Sequence, residues 1–235
     1  MKVEIWSDIM CPFCYIGKRK FEAALEQFPG KDKIEVEWKS FQLNPALKSQ
    51  PDKDVYDYVA EMKGQSRDWS LSVHAQLTNT AKEVGLTYNF DKAVIANSFD
   101  AHRLIQLAKK HQLGDAAEER LFTAYFTEGK DMSNQQTLLE LGAEIGLDKT
   151  EVAAVLQSND YAAAVNEDVN EAQQLGIRGV PFFVLDRKLG VSGAQPVEAF
   201  SKALEQAFTE WKKTQPVIEL ETLSGQVCTP DGECN

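Results

Sequence analysis

The strand-forming segments of this sequence lie near its two ends, and a long helical stretch separates them. Residues 3–6 form a short β-prone run. Residues 34–39 alternate between apolar and charged side chains, which is the period of a strand with one buried face. Between them, apolar residues repeat at helical spacing over residues 21–28 until Pro29-Gly30 ends the pattern. The chain is therefore predicted to open as β-α-β.

Strand character returns only near the end of the chain. Residues 180–185 and 189–192 are separated by the turn residues Asp186-Arg187-Lys188, which predicts a hairpin. A last helix is predicted to begin at Pro196, because proline is favoured at a helix start. The second half therefore supplies β-β-α, and the two halves together predict one four-stranded sheet.

The stretch between these halves is predicted to be entirely helical. Glycines stand at several positions where helix C-caps are common. The predicted helices cover residues 52–63, 67–84, 92–112, 115–128, 134–145, 148–157 and 161–174. The predicted sheet domain is made of two parts, residues 1–44 and 177–213. An inserted helical domain is predicted over residues 45–176, and a tail over residues 214–235.

The composition restricts the partners that the protein can have. Its 235 residues carry a formal net charge of −11. Proteins normally bind nucleic acid and anionic membrane surfaces through basic patches. Neither is therefore an expected partner of this acidic chain. No secretory signal pattern is present at the N-terminus, and no apolar run approaches the roughly 20 residues of a membrane span. A cytoplasmic location is therefore expected.

Two of the four cysteines form the motif Cys11-Pro12-Phe13-Cys14, where the first strand meets the first helix. At a helix N-terminus the unpaired backbone N–H groups and the macrodipole stabilise an anion, so a thiolate is favoured at Cys11. Thiolates in such motifs are good nucleophiles and good leaving groups. The sequence therefore predicts Cys11 as the attacking thiol, and Cys14, nearly one turn later, as the buried resolving thiol.

Around this motif the sequence resembles the DsbA family of thioredoxin-like oxidoreductases, in particular its FrnE-like subfamily. The matching stretches follow one another from the first strand to the last helix. They are Ser7-Asp8-Ile9-Met10-Cys11-Pro12-Phe13-Cys14-Tyr15-Ile16-Gly17, Ala101-His102-Arg103-Leu104, Ala124-Tyr125-Phe126, Gly179-Val180-Pro181-Phe182-Phe183 and Ser192-Gly193-Ala194-Gln195. The resemblance implies an α/β thioredoxin fold with a large all-helical insertion, and thiol-disulfide exchange in the oxidase, reductase or isomerase direction.

The same resemblance implies a substrate-binding segment. In the family the proline of Gly-Val-Pro is cis and lies beside the redox pair, which would place Val180 and Pro181 against Cys11. The Val180 backbone can then pair with an extended substrate segment, and Pro12 and Phe13 complete the expected binding residues. The expected partners are protein or small-molecule thiols and disulfides, and exchange requires no metal or organic cofactor.

A second function is compatible with this resemblance. Kappa-class glutathione transferases and 2-hydroxychromene-2-carboxylate isomerases share the insertion and the Val-Pro segment, and they bind glutathione. Serine usually stands in them at the position of Cys11, so the cysteine pair favours redox chemistry here. Glutathione is then expected as a reductant, with Val180 pairing with its cysteinyl backbone and the amides of Gly193-Ala194-Gln195 receiving a carboxylate.

The other two cysteines, Cys228 and Cys234, form a second close pair in the tail. They enclose Pro-Asp-Gly, a strong turn sequence, so a disulfide between them is geometrically easy. Two interpretations stay open: an auxiliary redox pair that exchanges with Cys11 and Cys14, or an exposed tail whose thiols are incidental. A zinc site made by all four thiolates is a further alternative, although zinc pairs usually lie on tight turns rather than at the start of an amphipathic helix.

Polar residues of the helical stretch supply one more candidate. His102 is a candidate supporting residue, although a lone histidine is more often structural than catalytic. The acidic residues Glu167, Asp168 and Glu171 are predicted to form a solvated helix face.

Overall fold

The computed structural model describes residues 1–214, in which four strands form one mixed sheet. The strands are β1 (Lys2–Ser7), β2 (Glu35–Ser40), β3 (Phe182–Leu185) and β4 (Leu189–Ser192). Their spatial order is β2-β1-β3-β4, with β1 parallel to β2 and the other two pairings antiparallel. Ile5 in β1 pairs with Trp38 on one side and with Phe183 on the other. The predicted four-stranded sheet of the thioredoxin fold is confirmed.

Helices flank the sheet and fill the stretch between β2 and β3. In chain order they are α1 (Pro12–Glu26), α2 (Val55–Lys63), α3 (Arg67–Glu83), α4 (Phe99–Lys110), α5 (Gly114–Phe122), α6 (Gln135–Glu144), α7 (Lys149–Gln157), α8 (Ala162–Gln174) and α9 (Val197–Lys213). No helix within residues 1–214 combines the length and the apolar character needed to cross a membrane.

Several boundaries differ from the prediction, and three of these differences have a clear local feature. The helix predicted over 92–112 begins only at Phe99, where the side chain of Asn97 accepts a hydrogen bond from the Phe99 backbone N–H at 2.9 Å. The helix predicted over 115–128 changes into a π-helical turn at Thr123–Thr127. The third strand begins at Phe182 rather than at residue 180, because Pro181 has no N–H to donate to a neighbouring strand.

One face of the sheet is packed against α1 and α9 by apolar side chains. The ring of Phe183 in β3 lies 5.4 Å from that of Phe21 in α1 and 4.6 Å from that of Phe200 in α9, measured between centroids. All three side chains are buried. Full burial of a side chain of this size contributes about 1.5–3 kcal/mol, so this cluster is a major stabilising contact of that face.

The first half of α1 packs into a different core. Cys14, Tyr15 and Ile16 cluster with buried residues of the helical segment, whereas Phe21 packs into the sheet core. The ring of Tyr15 stacks on that of Phe122 in α5 at 4.9 Å. Helix α1 therefore joins the sheet to the helical segment, and the cysteine motif lies at this junction.

A buried carboxylate ties the sheet to α8. Asp168, predicted to lie on a solvated face, is only 4% exposed. Its carboxylate accepts hydrogen bonds from the Ser40 backbone N–H at 2.9 Å and from Gln106 Nε2 at 2.6 Å, and it pairs with Lys39 Nζ at 2.6 Å. The prediction is wrong for Asp168 because these partners come from β2 and α4, which no spacing along α8 reveals.

Candidate active site

Cys11 is the N-cap of α1, and Pro12 is the first residue of the helix. The backbone of Cys11 is extended, with φ −94° and ψ 111°, and its N–H donates to the Asp8 carbonyl at 2.9 Å. No side chain caps this helix end among the described residues. Pro12 has no N–H, and the Cys14 N–H donates to the Cys11 carbonyl at 3.0 Å, so the Phe13 N–H is the amide available to an anion. Cys11 and Cys14 are both free thiols. The helix thus begins where the sequence predicts, with Cys11 at its positive end.

Asp8 organises the turn between β1 and Cys11. Its buried carboxylate accepts hydrogen bonds from the Met10 backbone N–H at 3.1 Å and from the Leu43 backbone N–H at 2.7 Å. It therefore fixes the approach to Cys11 and joins it to the segment that follows β2. Sequence reasoning missed this role. The available signal is the ability of aspartate to bond the amide two residues later in a turn.

Cys14 lies one turn into the helix and is 1% exposed. Burial, and then the neighbouring Cys11, raises the pKa of the Cys14 thiol well above its usual value. The Asp8 backbone amide and the Ser7 hydroxyl act in the opposite direction. Cys14 is therefore a neutral thiol at neutral pH, and its sulfur is less reactive than a thiolate.

The segment before β3 lies directly against Cys11. The Val180–Pro181 peptide bond is cis, and Cys11 Sγ lies 3.5 Å from the Val180 carbonyl oxygen, within hydrogen-bond reach of a thiol donor. Gly17 permits this arrangement, because a Cβ there would lie 2.9 Å from Pro181 Cγ. Two segments that are 169 residues apart in sequence thus meet at one sulfur.

The surroundings of Cys11 are largely apolar. Phe13 is 48% exposed, whereas Cys11 is 4% exposed. Pro12 and Val180 are half-buried, and Pro181 is buried. An apolar rim formed by Pro12, Phe13 and Val180 therefore borders the sulfur.

His102 lies behind the turn that precedes Cys11. It is fully buried in α4, and its Nε2 lies 3.5 Å from Asp8 Oδ1. Neither ring nitrogen has a hydrogen-bond partner within the described part of the chain. His102 therefore adjoins the carboxylate that fixes the turn, which favours a supporting role over a catalytic one.

The second cysteine pair and the alternative zinc site were also predicted from the sequence. Cys228 and Cys234 lie outside the described residues. Over residues 1–214, no group of three or more histidine, cysteine or acidic side chains is placed to hold a metal ion.

The segment expected to bind glutathione uses its amides within the chain. The Gly193 amide donates to the Pro181 carbonyl at 2.8 Å and the Gln195 amide to the Gly193 carbonyl at 2.9 Å. Two of the amides of Gly193-Ala194-Gln195 thus donate to carbonyls of the chain itself, and the binding of a glutathione carboxylate by this segment stays a prediction.

The fold places the chain in the thioredoxin-like class. Residues 2–205 match the DSBA-like thioredoxin domain. The chain belongs to this family, whose members are disulfide oxidoreductases.

Individual proteins extend this comparison. A probable DsbA oxidoreductase from Streptomyces coelicolor is 40% identical, with 100% of this chain and 98% of that chain covered and a TM-score of 0.85. The uncharacterized protein YwbO of Bacillus subtilis is 29% identical over 204 residues, which are 86% of this chain and 94% of YwbO. The cytosolic disulfide reductase DsbM from Pseudomonas aeruginosa, in a structure with GSH, shares the fold at 21% identity and a TM-score of 0.63, over 89% of this chain and 100% of DsbM.

Proposed function

We propose that this protein is a thiol-disulfide oxidoreductase and isomerase of the FrnE-like type that works through Cys11 and Cys14. The observation that carries the proposal is the asymmetry between the two sulfurs. Both sulfurs are buried, but Cys11 caps the start of the helix beside the open Phe13 N–H, whereas Cys14 lies inside the first turn, where burial raises the pKa of its thiol. An attacking and a resolving thiol need these two environments.

The reaction begins when the Cys11 thiolate attacks one sulfur of a substrate disulfide. A Cys11–substrate disulfide forms, and the other substrate sulfur leaves as a thiolate. Cys14 then loses its proton and attacks Cys11 Sγ, which releases the second substrate thiolate and leaves a Cys11–Cys14 disulfide. Two electrons pass from the protein to the substrate. When another thiol of the same substrate resolves the first intermediate instead, the substrate is isomerised and no net electrons move.

Substrate is held beside Cys11 by Val180 and Pro181, with Pro12 and Phe13 on the other side. The Val180 backbone pairs with an extended substrate segment, which aligns the substrate sulfur with Cys11. The exposed ring of Phe13 provides apolar contact area for that segment. His102 supports the site through Asp8, because its Nε2 lies 3.5 Å from Asp8 Oδ1.

Glutathione is the proposed reductant. Two glutathione molecules reduce the Cys11–Cys14 disulfide and leave as one glutathione disulfide, so the cycle uses no metal or organic cofactor. DsbM, which has the same fold, is a cytosolic disulfide reductase whose structure was solved with GSH. We propose the same cytoplasmic setting here, with protein or small-molecule disulfides as substrates.

The experiment is glutathione-driven reduction of insulin disulfides, compared between the wild-type protein, Cys11→Ser and Cys14→Ser. Cys11→Ser is expected to fall to the background rate, because a serine hydroxyl at the helix N-cap cannot form the Cys11–substrate disulfide. Cys14→Ser is expected to accumulate a covalent adduct with one substrate cysteine, visible in the intact mass. Wild-type activity in Cys11→Ser contradicts the proposal.

Two further experiments distinguish this function from the zinc-site and isomerase alternatives. Protein treated with a chelator is expected to keep its insulin-reducing activity, and loss of that activity would indicate a zinc site instead. Glutathione-dependent isomerisation of 2-hydroxychromene-2-carboxylate that survives Cys14→Ala would favour the isomerase alternative, because that chemistry needs no resolving thiol.

Cys228 and Cys234 are proposed as an auxiliary redox pair that passes electrons to Cys11 and Cys14. The test is Cys228→Ser combined with Cys234→Ser. The double variant is expected to be reduced by glutathione at least about twofold more slowly, while alkylation of Cys11 stays unchanged. An unchanged rate of reduction favours the incidental-tail interpretation.

A further inference from the structure

A buried tyrosine of the helical segment contacts the cysteine motif directly. Tyr88, in the loop after α3, donates its phenolic hydroxyl to the Pro12 carbonyl oxygen at 2.7 Å. This oxygen lies in the residue that follows Cys11. Tyr88 is 4% exposed, and a hydrogen bond removed from bulk water in this way is electrostatically stronger than a surface one.

Neighbouring bonds hold Tyr88 in place. Asn89 donates its backbone N–H to the Phe126 carbonyl and its side-chain amide to the Thr127 carbonyl, both at 2.7 Å. Thr127 Oγ1 donates to the Thr87 carbonyl at 2.6 Å, and the Tyr88 ring stacks on Phe126 at 4.6 Å. Phe126 and Thr127 belong to the π-helical turn, a feature that often marks functional sites. The turn therefore orients the tyrosine toward α1.

We propose that Tyr88 is a positioning residue for the Cys11 thiolate, a role that rests on the proposed thiol-disulfide chemistry. The Pro12 carbonyl and the Phe13 N–H belong to one peptide plane, and that N–H is among the first amides of α1. A hydroxyl bonded to the carbonyl fixes the rotation of the plane and draws electron density from it. The Phe13 N–H is then held toward the helix start, where the thiolate forms.

The tyrosine stays a donor over the working range. Burial, followed by the charges of Cys11, Tyr15 and Cys14, raises the pKa of the Tyr88 hydroxyl. A neutral phenol can donate to the carbonyl without placing a second negative charge beside the thiolate.

The test is Tyr88→Phe, which keeps the ring and removes only the hydroxyl. Alkylation of Cys11 by iodoacetamide is followed against pH by peptide mass, and the Cys11–Cys14 couple is equilibrated with glutathione. The midpoint of the alkylation profile is expected to rise by about 0.5 pH unit, and the equilibrium constant for reduction by glutathione to fall about threefold.

Tyr15→Phe is the matched control. Tyr15 belongs to the same aromatic cluster, but its hydroxyl donates to Glu119 at 2.6 Å and not to the motif. This variant is expected to lose thermal stability and to keep the wild-type alkylation profile. A wild-type profile and equilibrium constant in Tyr88→Phe, or equal shifts in both variants, overturns the proposal. Failure of the proposed function looks different, because wild-type Cys11 would then react like a free cysteine.

Discussion

The sheet contacts its surroundings in two different ways. Toward α1 and α9, Phe183 packs between aromatic rings that need only to be apolar and of fitting size. Toward α8, Asp168 must receive specific donors from Ser40, Gln106 and Lys39. The first contact depends on buried area and the second on the placement of individual atoms.

The cysteine motif lies where the sheet core meets the core of the helical segment. Phe21, in the second half of α1, contributes to the apolar sheet core, whereas Cys14 lies in the helical core. Buried polar groups accompany the second core, among them His102 and Glu118, which have no hydrogen-bond partner for their side chains within residues 1–214. Helix α1 is thus anchored in the sheet core, and the core that holds Cys14 also buries polar groups.

The largest expected effect comes from breaking the apolar contact. Phe183→Ala removes a fully buried ring between α1 and α9, and is expected to lower the free energy of unfolding by about 3–5 kcal/mol. Urea unfolding followed by circular dichroism measures the loss. Phe182→Ala, at a half-buried position of the same strand, is the control and is expected to cost less. Equal losses in the two variants would contradict the comparison.

Breaking the polar contact is expected to lower the free energy of unfolding by a somewhat smaller amount. Asp168→Asn removes the carboxylate that Gln106 and Lys39 contact and leaves Glu171, at 3.0 Å, as the close carboxylate partner of Lys39. The variant is expected to lower the free energy of unfolding by about 2–4 kcal/mol, measured by urea unfolding. Glu167→Gln, one residue earlier and exposed, is the matched control, with a change expected within about 0.5 kcal/mol. A loss below about 1 kcal/mol in Asp168→Asn would indicate that α8 is held by apolar packing instead.

Glu118 is expected to make the free energy of unfolding depend on pH. Burial, opposed by Lys18, raises the pKa of this carboxyl from 4.5 to about 8. The folded state therefore holds a proton that the unfolded state releases, and stability falls as pH rises from about 4.5 to about 8. Glu118→Gln removes this slope, and at pH 6 it is expected to be about 2 kcal/mol more stable than the wild type.

Glu119 is the control for this pH dependence. Although burial opposes it, hydrogen bonds from Arg19 and Tyr15 lower the pKa of the Glu119 carboxyl, so its contribution to stability is lost as pH falls. Glu119→Gln is therefore expected to be less stable than the wild type at neutral pH. Thermal unfolding is measured from about pH 3 to about pH 8, because the Glu119 contribution is lost below about pH 4.5, whereas the Glu118 slope lies between about 4.5 and about 8. Parallel curves for wild type and Glu118→Gln between about pH 4.5 and about pH 8 would refute the assignment.

The smallest expected effect concerns the contact between α1 and Pro181. In Gly17→Ala the new Cβ would lie 2.9 Å from Pro181 Cγ, but alanine also favours the helix by about 1 kcal/mol. A net loss of about 1 kcal/mol is expected, together with slower insulin reduction because Pro181 is displaced from Cys11. Gly179→Ala, where a Cβ meets no atom within 4 Å, is the control and should keep both properties.

Local patterns were sufficient for much of the fold. The alternation over residues 34–39 and the turn at Asp186-Arg187-Lys188 predict β2 and the hairpin, because each signal lies within a few residues. The N-cap position of Cys11 is equally local. The bond from Leu43 to Asp8 and the bond from Tyr88 to Pro12 could not be predicted, because each joins segments that only the packing of distant elements brings together.

The sequence by itself determined that a helix begins at Cys11 and which face of it is apolar, since capping and periodicity act over a single turn. Only the tertiary structure decided what surrounds the sulfur. The Val180 carbonyl and the Tyr88 hydroxyl reach the motif through the sheet register and the packing of the helical segment. Hydrogen bonds act over about 3 Å, so such contacts exist only after distant segments have been packed together.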